Sequence, residues 1–453
     1  MLFRSMFSLR QWQGSNDWQN WVGYERAAPE QKLTPSSVAE LQEIVKNARA
    51  NKKRVRVTGA AHSFSGCAKP EEIAVSLHNM RGLILVDKEA KLATLHAGTY
   101  LYEIGAALKE HGLALENMGD VQAQTIAGAA STATHGTGIT LGSIANQVVT
   151  WEWVDGKGEL HTHHRGDPKT DELGNALHAS LGMLGIFTKL TLKVVDIYGL
   201  KESNEVLDFE EGLARFHETA HSHRHLEWFL FPGTNKVQQK TLSVIAPKAM
   251  TGTQKLKDHF DSVVTLNGAF YVLCELARMK PSLTKKVSEI SASSIPNTKR
   301  EGYSYEVFPT PRGVKFNESE YFIKLSDFDE CISEVNHILL NDNKGSHFPI
   351  EVRTHKGETG MLSPTQGEDC AVLSFHVYKG MDCEPLFKWL YEYMKKWQGR
   401  PHWGKVNKLS RIELQSLYPK LNRFLEIRRE YDSDNVFMNS WLEQKFCLKP
   451  LTA

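Results

Sequence analysis

Two polar residues in the second half of the chain have the types and spacing needed for electrostatic and proton-transfer chemistry. Glu351 and Arg353 stand two residues apart in the strand-like run PIEVRT, so their side chains should lie on one face of a strand. A carboxylate beside a guanidinium is most often an ordinary ion pair. Here the apolar residues around them predict a partly buried strand, where paired charges need a reason.

Two further runs carry candidate ligand-binding groups. The segment RPHWGK (400–405) supplies His402 and Lys405 beside a tryptophan. The strand-like run AVLSFHV places Ser374 and His376 two residues apart, where they could contact hydroxyl groups of a ligand. A buried strand can also carry such residues for structural reasons, so both interpretations stay open.

A glycine-containing loop, VTGAAHS (57–63), follows a strand-like run in the first half. Consecutive small residues let backbone N–H groups converge on a phosphate. The loop matches neither G-x-G-x-x-G nor G-x-x-x-x-G-K-[ST], so it supports neither a Rossmann dinucleotide site nor a P-loop. By itself, His62 in this loop would most often be a hydrogen-bonded loop histidine.

The segment DVQAQTIAGAASTATHGTGITLG (120–142) is rich in small residues. A linker would explain them, but linkers seldom carry Ile126, His135 and Ile139. The alternative is a backbone that passes close to a large flat group. A third segment, SLGMLGIFTKLTLKVV, again joins glycines to a strand-like run.

Local patterns indicate how these segments are positioned. Thr34 to Ser37 predict a helix start before apolar residues at helical spacing from Val38 to Ala48. Strands are predicted at RVRVT, LILVD and ATLHAG, a helix from about Tyr100 to His111, and a hairpin turning at Asp155–Gly156. Past a boundary near residue 200, strands are predicted at EYFIKL, PIEVRT and AVLSFHV, and helices at FKWLYEYMKKW and LNRFLEIRREY.

Composition bounds the class of protein. A chain of 453 residues predicts two or three domains. Its net charge of +1 gives no electrostatic reason to expect nucleic acid or an anionic membrane as partner. Six scattered cysteines without a CxxC pair predict reduced thiols, and no apolar run reaches the roughly 18 residues needed to span a bilayer. We expect a cytoplasmic enzyme, with peripheral membrane association and oligomeric state left open.

Taken in order, RVRVTGAAHSFSGCA, NMGDVQAQTIAGAASTATHGTG and SLGMLGIFTKLTL resemble the PCMH-type FAD-binding half of the vanillyl-alcohol oxidase superfamily. The resemblance implies FAD bonded covalently through its 8α-methyl to His62, with Gly59, Ala60, Ala61 and Ser63 around the diphosphate, and no metal. One departure is Ala61, where the family often has glycine. The other residues that the resemblance assigns to the cofactor are Val57, Thr58, Gly119, Asp120, Thr125, Gly128, Ala129, Thr132, His135, Gly136, Gly138, Gly185 and Ile186.

Two of these residues carry more specific expectations. The loop around His135 resembles the family's H-G-x-G turn rather than the attachment loop, so His135 is interpreted as a structural or hydrogen-bonding residue. Related lactone dehydrogenases have alanine at the position of Gly119, where the methyl is thought to shield the reduced flavin from O2. The resemblance therefore implies that this chain, with glycine there, is an oxidase.

The motifs E-V-R, L-S-P and R-P-H-W-x-K, with the tail FLEIRREYDSDNVFMNSWLEQKF, resemble the C-terminal half of the aldonolactone oxidases, which include gulonolactone and arabinonolactone oxidases. The similarity runs from about Trp21 to Phe446 and thins between about 200 and 310. It implies an α+β fold: an FAD-binding PCMH-type domain of two α/β subdomains (18–198), then a substrate (cap) domain with an antiparallel sheet flanked by helices (199–420). A C-terminal segment (421–453), with Asn439, would return to the FAD domain.

The implied reaction converts a sugar-1,4-lactone to its 2-keto lactone, with hydride transfer to flavin N5 and reduction of O2 to H2O2. Lys405 would interact with the reacting hydroxyl and N5, but could accept its proton only if desolvation or a neighbouring cation kept the lysine uncharged. Glu351 and Arg353 would position the sugar and stabilise negative charge on oxygen. Ser374, His376 and His402 are the candidate substrate contacts, and the identity of the base stays open.

Four other functions remain as alternatives. An alditol oxidase shares the E-x-R and H-W-G-K elements but oxidises a linear polyol, and a lactone dehydrogenase passes its electrons to another acceptor. A metal-binding protein could be built around the histidines at 161, 163 and 164, although we expect these to lie in a solvated turn. A non-catalytic carbohydrate-binding module would need no flavin loop.

Overall fold

The computed structural model describes residues 12–13, 17–259, 267–295, 299–310 and 313–446. The strands of the first half are β1 (Trp12–Gln13), β2 (Asp17–Gln19), β3 (Arg26–Ala27), β4 (Gln31–Leu33), β5 (Val55–Val57), β6 (Ile73–Val75), β7 (Leu83–Asp87), β8 (Leu92–His96), β9 (Leu113–Ala114), β10 (Val148–Val154), β11 (Leu160–His164), β12 (Ile186–Lys193) and β13 (Val195–Asp196). Its helices are α1 (Val38–Ala50), α2 (Leu101–Lys109), α3 (Ile126–Ser131) and α4 (Glu172–Leu177).

The first half contains two sheets that share one apolar core. A parallel sheet has the order β4-β6-β5, and an antiparallel sheet has the order β11-β10-β12-β8-β7. Leu41 and Val45 of α1 pack in this core with Val75, Leu95 and Trp151 from the two sheets. Burial of such side chains is the main force that holds strands and helices together.

The second half is built around a larger sheet. Its strands are β14 (Gly199–Asp208), β15 (His225–Leu230), β16 (Lys236–Ile245), β17 (Glu301–Tyr303), β18 (Phe316–Lys324), β19 (Ile350–His355), β20 (Cys370–Tyr378) and β21 (Arg400–Pro401). Its helices are α5 (Phe209–Ser222), α6 (Gly252–His259), α7 (Asn267–Met279), α8 (Thr284–Ser293), α9 (Ser304–Val307), α10 (Phe328–Asn341), α11 (Glu384–Lys396), α12 (Arg411–Leu417), α13 (Leu421–Tyr431) and α14 (Ser440–Phe446).

This sheet has the strand order β17-β14-β16-β15-β19-β20-β18-β21, with antiparallel pairing throughout. Successive side chains of a strand point to opposite faces. On one face Val352 and Leu373 pack with α5, α10 and α11 in a second apolar core. On the other face Glu351 and Arg353 are turned toward the first half. The alternation in PIEVRT therefore separates a packing face from a polar face.

The expected α+β architecture is confirmed, and so are several local elements. Helix α1 begins where predicted, since the Ser37 side chain accepts a hydrogen bond from the Glu40 N–H at its start. The hairpin β10–β11 turns after Val154. The solvated turn expected for the histidines at 161, 163 and 164 is wrong, because these residues lie on the edge strand β11.

The end of the chain packs on the first half. Leu421 and Phe424 of α13, with Leu442 of α14, join the first apolar core. The Asn439 side chain donates to the backbone oxygen of Gly66 at 2.9 Å and to that of Lys69 at 2.9 Å. Within the described residues, no helix has the length and apolar character required to cross a membrane.

Candidate active site

Two adjoining cavities lie between the first half and the polar face of the large sheet. The larger has a volume of about 360 Å³ and the smaller about 90 Å³, and both are bordered by His62, Ser63, Gln124 and Thr132. We call them the large and the small cavity. His62 therefore stands at the junction of the two.

The small cavity is formed by backbone segments with little side-chain bulk. A Cβ at Gly59 would lie 2.4 Å from the Thr125 hydroxyl oxygen, so no larger residue fits there without movement. The hydroxyl of Thr58 is buried, borders this cavity and has no partner within the described residues. A cradle of backbone N–H groups with a spare hydroxyl is suited to the diphosphate of FAD, so the residues present fit this cofactor.

Ala61 occupies a conformation that favours glycine. Its φ is 54°, in the left-handed region, where a Cβ costs about 1–2 kcal/mol. The neighbouring chain holds the loop in this shape, because the Trp21 N–H donates to the Ala61 carbonyl oxygen at 2.7 Å. The Asn20 side chain donates to the Ser63 carbonyl oxygen at 3.0 Å.

The imidazole of His62 is held with its ring uncharged. Burial, with the nearby positive charges of Lys405 and Lys315, lowers the pKa of His62 to about 4. At neutral pH one ring nitrogen therefore keeps a free lone pair, which a bond to carbon requires. The ring also lies against Trp21, which borders the large cavity.

His135 has a different environment, although it borders the large cavity too. Its Nδ1 lies 2.7 Å from the Gly136 carbonyl oxygen, and its Nε2 lies 3.0 Å from Oε1 of Glu320. Both ring nitrogens are engaged, so His135 has no free nitrogen comparable with that of His62.

The Glu351–Arg353 pair lies on the sheet wall of the large cavity. The two side chains are in direct ion-pair contact, and Glu227 of β15 stands opposite Arg353 across the strands. Burial alone would lower the pKa of Arg353, but Glu351 and Glu227 raise it. Glu227 is in turn paired with Lys240 at 2.7 Å. Arg353 therefore stays charged behind its carboxylate partners.

Lys405 is paired with a carboxylate that the sequence analysis did not select. Its Nζ contacts Glu318 of β18, and the other oxygen of Glu318 lies 3.6 Å from Nε2 of His376. Burial would raise the pKa of Glu318, but the charge of Lys405, assisted by His376, lowers it to about 2. Glu318 is thus a fixed anion between Lys405 and His376.

Glu320, two residues further along β18, is also absent from the predicted set. Besides His135, it accepts a hydrogen bond from the Ser374 hydroxyl. Burial would raise the pKa of Glu320, but Lys405 and His135 hold it well below its usual range. The spacing E-S-E is the same signal as E-V-R, so the alternation along EYFIKL, extended back to Glu318, could have found both.

Most predicted site residues border the two cavities. The large cavity is bordered by His62, Ser63, Gly119, Asp120, Thr132, His135, Glu351, Arg353, His376, His402 and Lys405. The small cavity is bordered by Val57, Thr58, Gly59, Ala60, Ala61, His62, Ser63, Thr125, Gly128, Thr132, Gly185 and Ile186.

Four predicted residues lie outside both linings. Ala129 is fully buried in the core, and the tight packing of Gly136 against Met118 and Phe308 leaves no room for a Cβ. Gly138 donates its N–H to the Thr354 carbonyl oxygen at 2.9 Å. Ser374 is fully buried and holds Glu320 in place, so its expected contact with substrate is not what the structure shows.

Two groups of potential metal ligands occur in the described part of the chain. In the first, the Gly404 N–H donates to Nδ1 of His402 at 3.0 Å, while His135 and Glu320 are bonded to each other. The second is Asp155, Glu159 and His161 on the β10–β11 hairpin, where Asp155 and His161 are paired at 2.9 Å. His163 bonds instead to Asp171 at 2.9 Å, so the histidines of β11 do not converge on one point.

Comparisons with known proteins agree with this arrangement. Residues 190–445 match the family model described as D-arabinono-1,4-lactone oxidase, and residues 29–163 match an FAD binding domain. An L-gulono-1,4-lactone dehydrogenase from Mycobacterium tuberculosis is 32% identical over 427 residues, covering 94% of this chain and 97% of that protein. The L-gulonolactone oxidase of Mus musculus is 28% identical over 435 residues, covering 94% of this chain and 98% of that protein.

Solved structures show the same fold at low sequence identity. Cholesterol oxidase from B. sterolicum has a TM-score of 0.78 and 15% identity, covering 95% of this chain and 96% of that one. Phl p 4, described as a glucose dehydrogenase, has a TM-score of 0.65 and 14% identity, covering 92% of this chain and 90% of that one.

Proposed function

Because this chain belongs to the D-arabinono-1,4-lactone oxidase family, whose members are FAD-dependent sugar-lactone oxidoreductases, we propose that it oxidises a sugar-1,4-lactone to the 2-keto lactone and reduces O2 to H2O2. The observation that carries the proposal is the junction at His62. There a cofactor cradle meets a larger cavity whose opposite wall presents Lys405 and the Glu351–Arg353 pair.

We propose that the loop from Val57 to Ser63 and the start of α3 hold the diphosphate, and that an uncharged ring nitrogen of His62 bonds to the 8α carbon. When bound, FAD supplies the hydride acceptor at N5 and the route of electrons to O2. The low pKa of His62 supports its role as the attachment point. Engagement of both nitrogens of His135 argues against the second histidine.

The charges of the large cavity favour a neutral substrate. Lys405 is neutralised by Glu318, and Arg353 by Glu351. A carboxylate ligand, such as the hydrolysed aldonate, would have to displace one of these buried partners and leave it unpaired, which costs several kcal/mol. A lactone brings hydroxyl groups but no charge. The side chains of Glu351 and His376 are available as hydrogen-bonding partners on the same wall.

Lys405 acts best as an electrostatic group. Its ion pair with Glu318 favours the ammonium form, which donates hydrogen bonds and cannot accept a proton. It therefore stabilises negative charge that develops on the reacting oxygen. Glu318 positions Lys405, while Arg353 supplies a second permanent positive charge nearby.

Use of O2 rests on Gly119, which borders the large cavity. A Cβ at this position would lie 3.0 Å from the Thr134 methyl carbon and 3.8 Å from the Gln124 side-chain oxygen. It would narrow this part of the cavity. The glycine leaves the space open to a molecule as small as O2.

A lactone dehydrogenase is the second candidate, because the relative from Mycobacterium tuberculosis carries that name at 32% identity. The two functions differ only in how the reduced enzyme is reoxidised. The purified enzyme should be reduced by L-gulono-, L-galactono- or D-arabinono-1,4-lactone without air and then mixed with O2 or an artificial electron acceptor. Rapid return of the oxidised spectrum with stoichiometric H2O2 supports the oxidase.

Very slow reoxidation by O2, together with rapid reoxidation by the artificial acceptor, would establish the dehydrogenase instead. Xylitol and the open-chain aldonates belong in the same screen. Reduction by xylitol without reduction by any lactone would favour a polyol oxidase, and efficient reduction by an aldonate would contradict the argument from paired charges.

A further inference from the structure

Helix α7 carries an exposed apolar face. Tyr271, Val272, Leu276 and Met279 expose 51%, 57%, 41% and 66% of their surfaces. The last three are spaced i, i+4 and i+7 and therefore form one stripe along the helix. We call these four residues the α7 outer face. Scattered apolar residues on a surface are ordinary, whereas a contiguous stripe indicates an interaction site.

The other side of the same helix is tied to the wall of the active site. Cys274 is fully buried in a cluster with Phe64, Phe316 and Phe348. Two of these rings, Phe64 and Phe316, also border the large cavity. The α7 outer face is therefore the outside of a layer whose inside helps form the site, and the helix is held on one side only.

The surroundings of the outer face are basic, although the whole chain is nearly neutral. Between residues 248 and 300, Lys and Arg number nine and Asp and Glu four, whereas the complete chain has a net charge of only +1. Three exposed lysines lie just beyond the outer face: Lys280 follows α7, and Lys285 and Lys286 stand in the first turn of α8. The expectation that no anionic partner would be favoured came from the net charge, which averages over this local excess.

Charge decides between the possible occupants of the outer face. In a symmetric dimer through this face the lysines of both copies would approach each other, and like charges brought together at an interface repel. An apolar stripe bordered by lysines is instead the pattern of a helix that lies in the interface of an anionic bilayer. We propose that the α7 outer face binds anionic lipid membranes, with its apolar side chains in the headgroup region and Lys280, Lys285 and Lys286 near lipid phosphates.

The test uses the flavin-loaded enzyme and vesicles of phosphatidylcholine, with or without one lipid in three replaced by phosphatidylglycerol. We expect the enzyme to float with the anionic vesicles at low salt and to remain largely free with phosphatidylcholine alone. Replacing Lys280, Lys285 and Lys286 by glutamine should lower the partition coefficient by about fivefold for each lysine. Binding that is independent of lipid charge would overturn the electrostatic part of the proposal.

The apolar part is tested with the double variant Leu276→Asp/Met279→Asp, which should abolish flotation and leave flavin content and lactone oxidation unchanged. Its matched control is Ile412→Asp. Ile412 is 82% exposed on α12, outside α7, so this variant should still float.

Three results would contradict the proposal: no flotation of the native enzyme at low salt, flotation of the double variant, or loss of flotation in Ile412→Asp. A dimer in solution that the double variant dissociates, without vesicle binding, would assign the outer face to a second copy. A large fall in melting temperature in the double variant, again without vesicle binding by the native enzyme, would mean that part of the chain itself covers this face.

Discussion

The imidazole of His62 stacks on the indole of Trp21, with ring centroids 5.3 Å apart and planes inclined by 22°. The Lys315 ammonium donates to the Trp21 carbonyl oxygen at 2.8 Å and lies 5.8 Å from the centre of its ring. The loop that presents His62 to the cofactor site is thus supported by a residue near the start of the described chain. The stacking limits the orientations open to the histidine ring.

We expect His62→Ala to bind FAD only reversibly, because no other ring nitrogen is free beside the cradle. After precipitation with acid, flavin should appear in the supernatant rather than in the pellet. Loss of the bond also removes an electron-withdrawing substituent from the flavin, so turnover should slow by about tenfold. Flavin retained in the pellet of the variant would mean that another residue forms the bond.

Replacing Trp21 by leucine should lower the fraction of covalently bound flavin without preventing FAD binding. The backbone hydrogen bond to Ala61 remains in this variant, and only the ring that orients His62 is lost. The pellet-to-supernatant ratio of flavin measures the effect. Tyr24→Leu is the matched control, since Tyr24 is 51% exposed and belongs to the same N-terminal segment. An equal ratio in both variants would rule out an orienting role for Trp21.

Glu318→Gln tests whether this carboxylate positions Lys405. The amide keeps the shape of the side chain but removes the charge that holds the ammonium, so kcat should fall by about tenfold to a hundredfold. Glu318→Asp should recover part of the loss. Steady-state kinetics should show the effect mainly in kcat rather than in KM, and Glu384→Gln, at an exposed ion pair with Lys408, serves as control. Unchanged kcat in Glu318→Gln would remove Glu318 from the mechanism.

Gly119→Ala should slow the reaction of the reduced enzyme with O2 by at least about tenfold, equivalent to roughly 1.4 kcal/mol on the barrier. Reduction by lactone should change little, because the added methyl meets only Thr134 closely. Stopped-flow absorbance separates the two half-reactions. Gly252→Ala is the control, since a Cβ there meets nothing within 4 Å. Equal reoxidation rates in Gly119→Ala and the native enzyme would contradict the role given to Gly119.

Buried histidines should destabilise the protein in mild acid. Burial lowers the pKa of His347 and His355 to about 4 and that of His225 and His402 to about 3, below the unfolded value near 6.5. As pH falls below 6.5 the unfolded chain takes up protons that the folded chain does not, so stability is lost. Each such histidine contributes up to about 1.4 kcal/mol per pH unit until its folded pKa is reached.

The melting temperature measured between pH 7.5 and 5 should therefore fall steadily below pH 6.5. Glu318, whose pKa is about 2, adds a further loss only below about pH 4.5. His347→Gln, a substitution outside the cavity lining, should reduce the slope. A melting temperature that stays constant from pH 7.5 to 5 would contradict this account.

Sequence patterns alone determined the parts of the molecule that depend on local geometry. The small residues from Gly59 to His62 predicted a backbone cradle, because only side chains of that size leave room for it. The two-residue period of a strand placed Glu351 and Arg353 on one face. Helix α1 and the hairpin after Val154 followed from capping and turn residues close to them in the chain.

Only the tertiary structure decided which side chains meet. A strand's period assigns each residue to a face, whereas the strand order β19-β20-β18-β21 decides what stands beside it. Glu318 therefore meets Lys405, and Glu320 meets His135, across long intervals of sequence, and Ser374 turns to Glu320 instead of the cavity. The α7 outer face has the same origin, because helical spacing predicts a stripe but not which side the rest of the fold leaves uncovered.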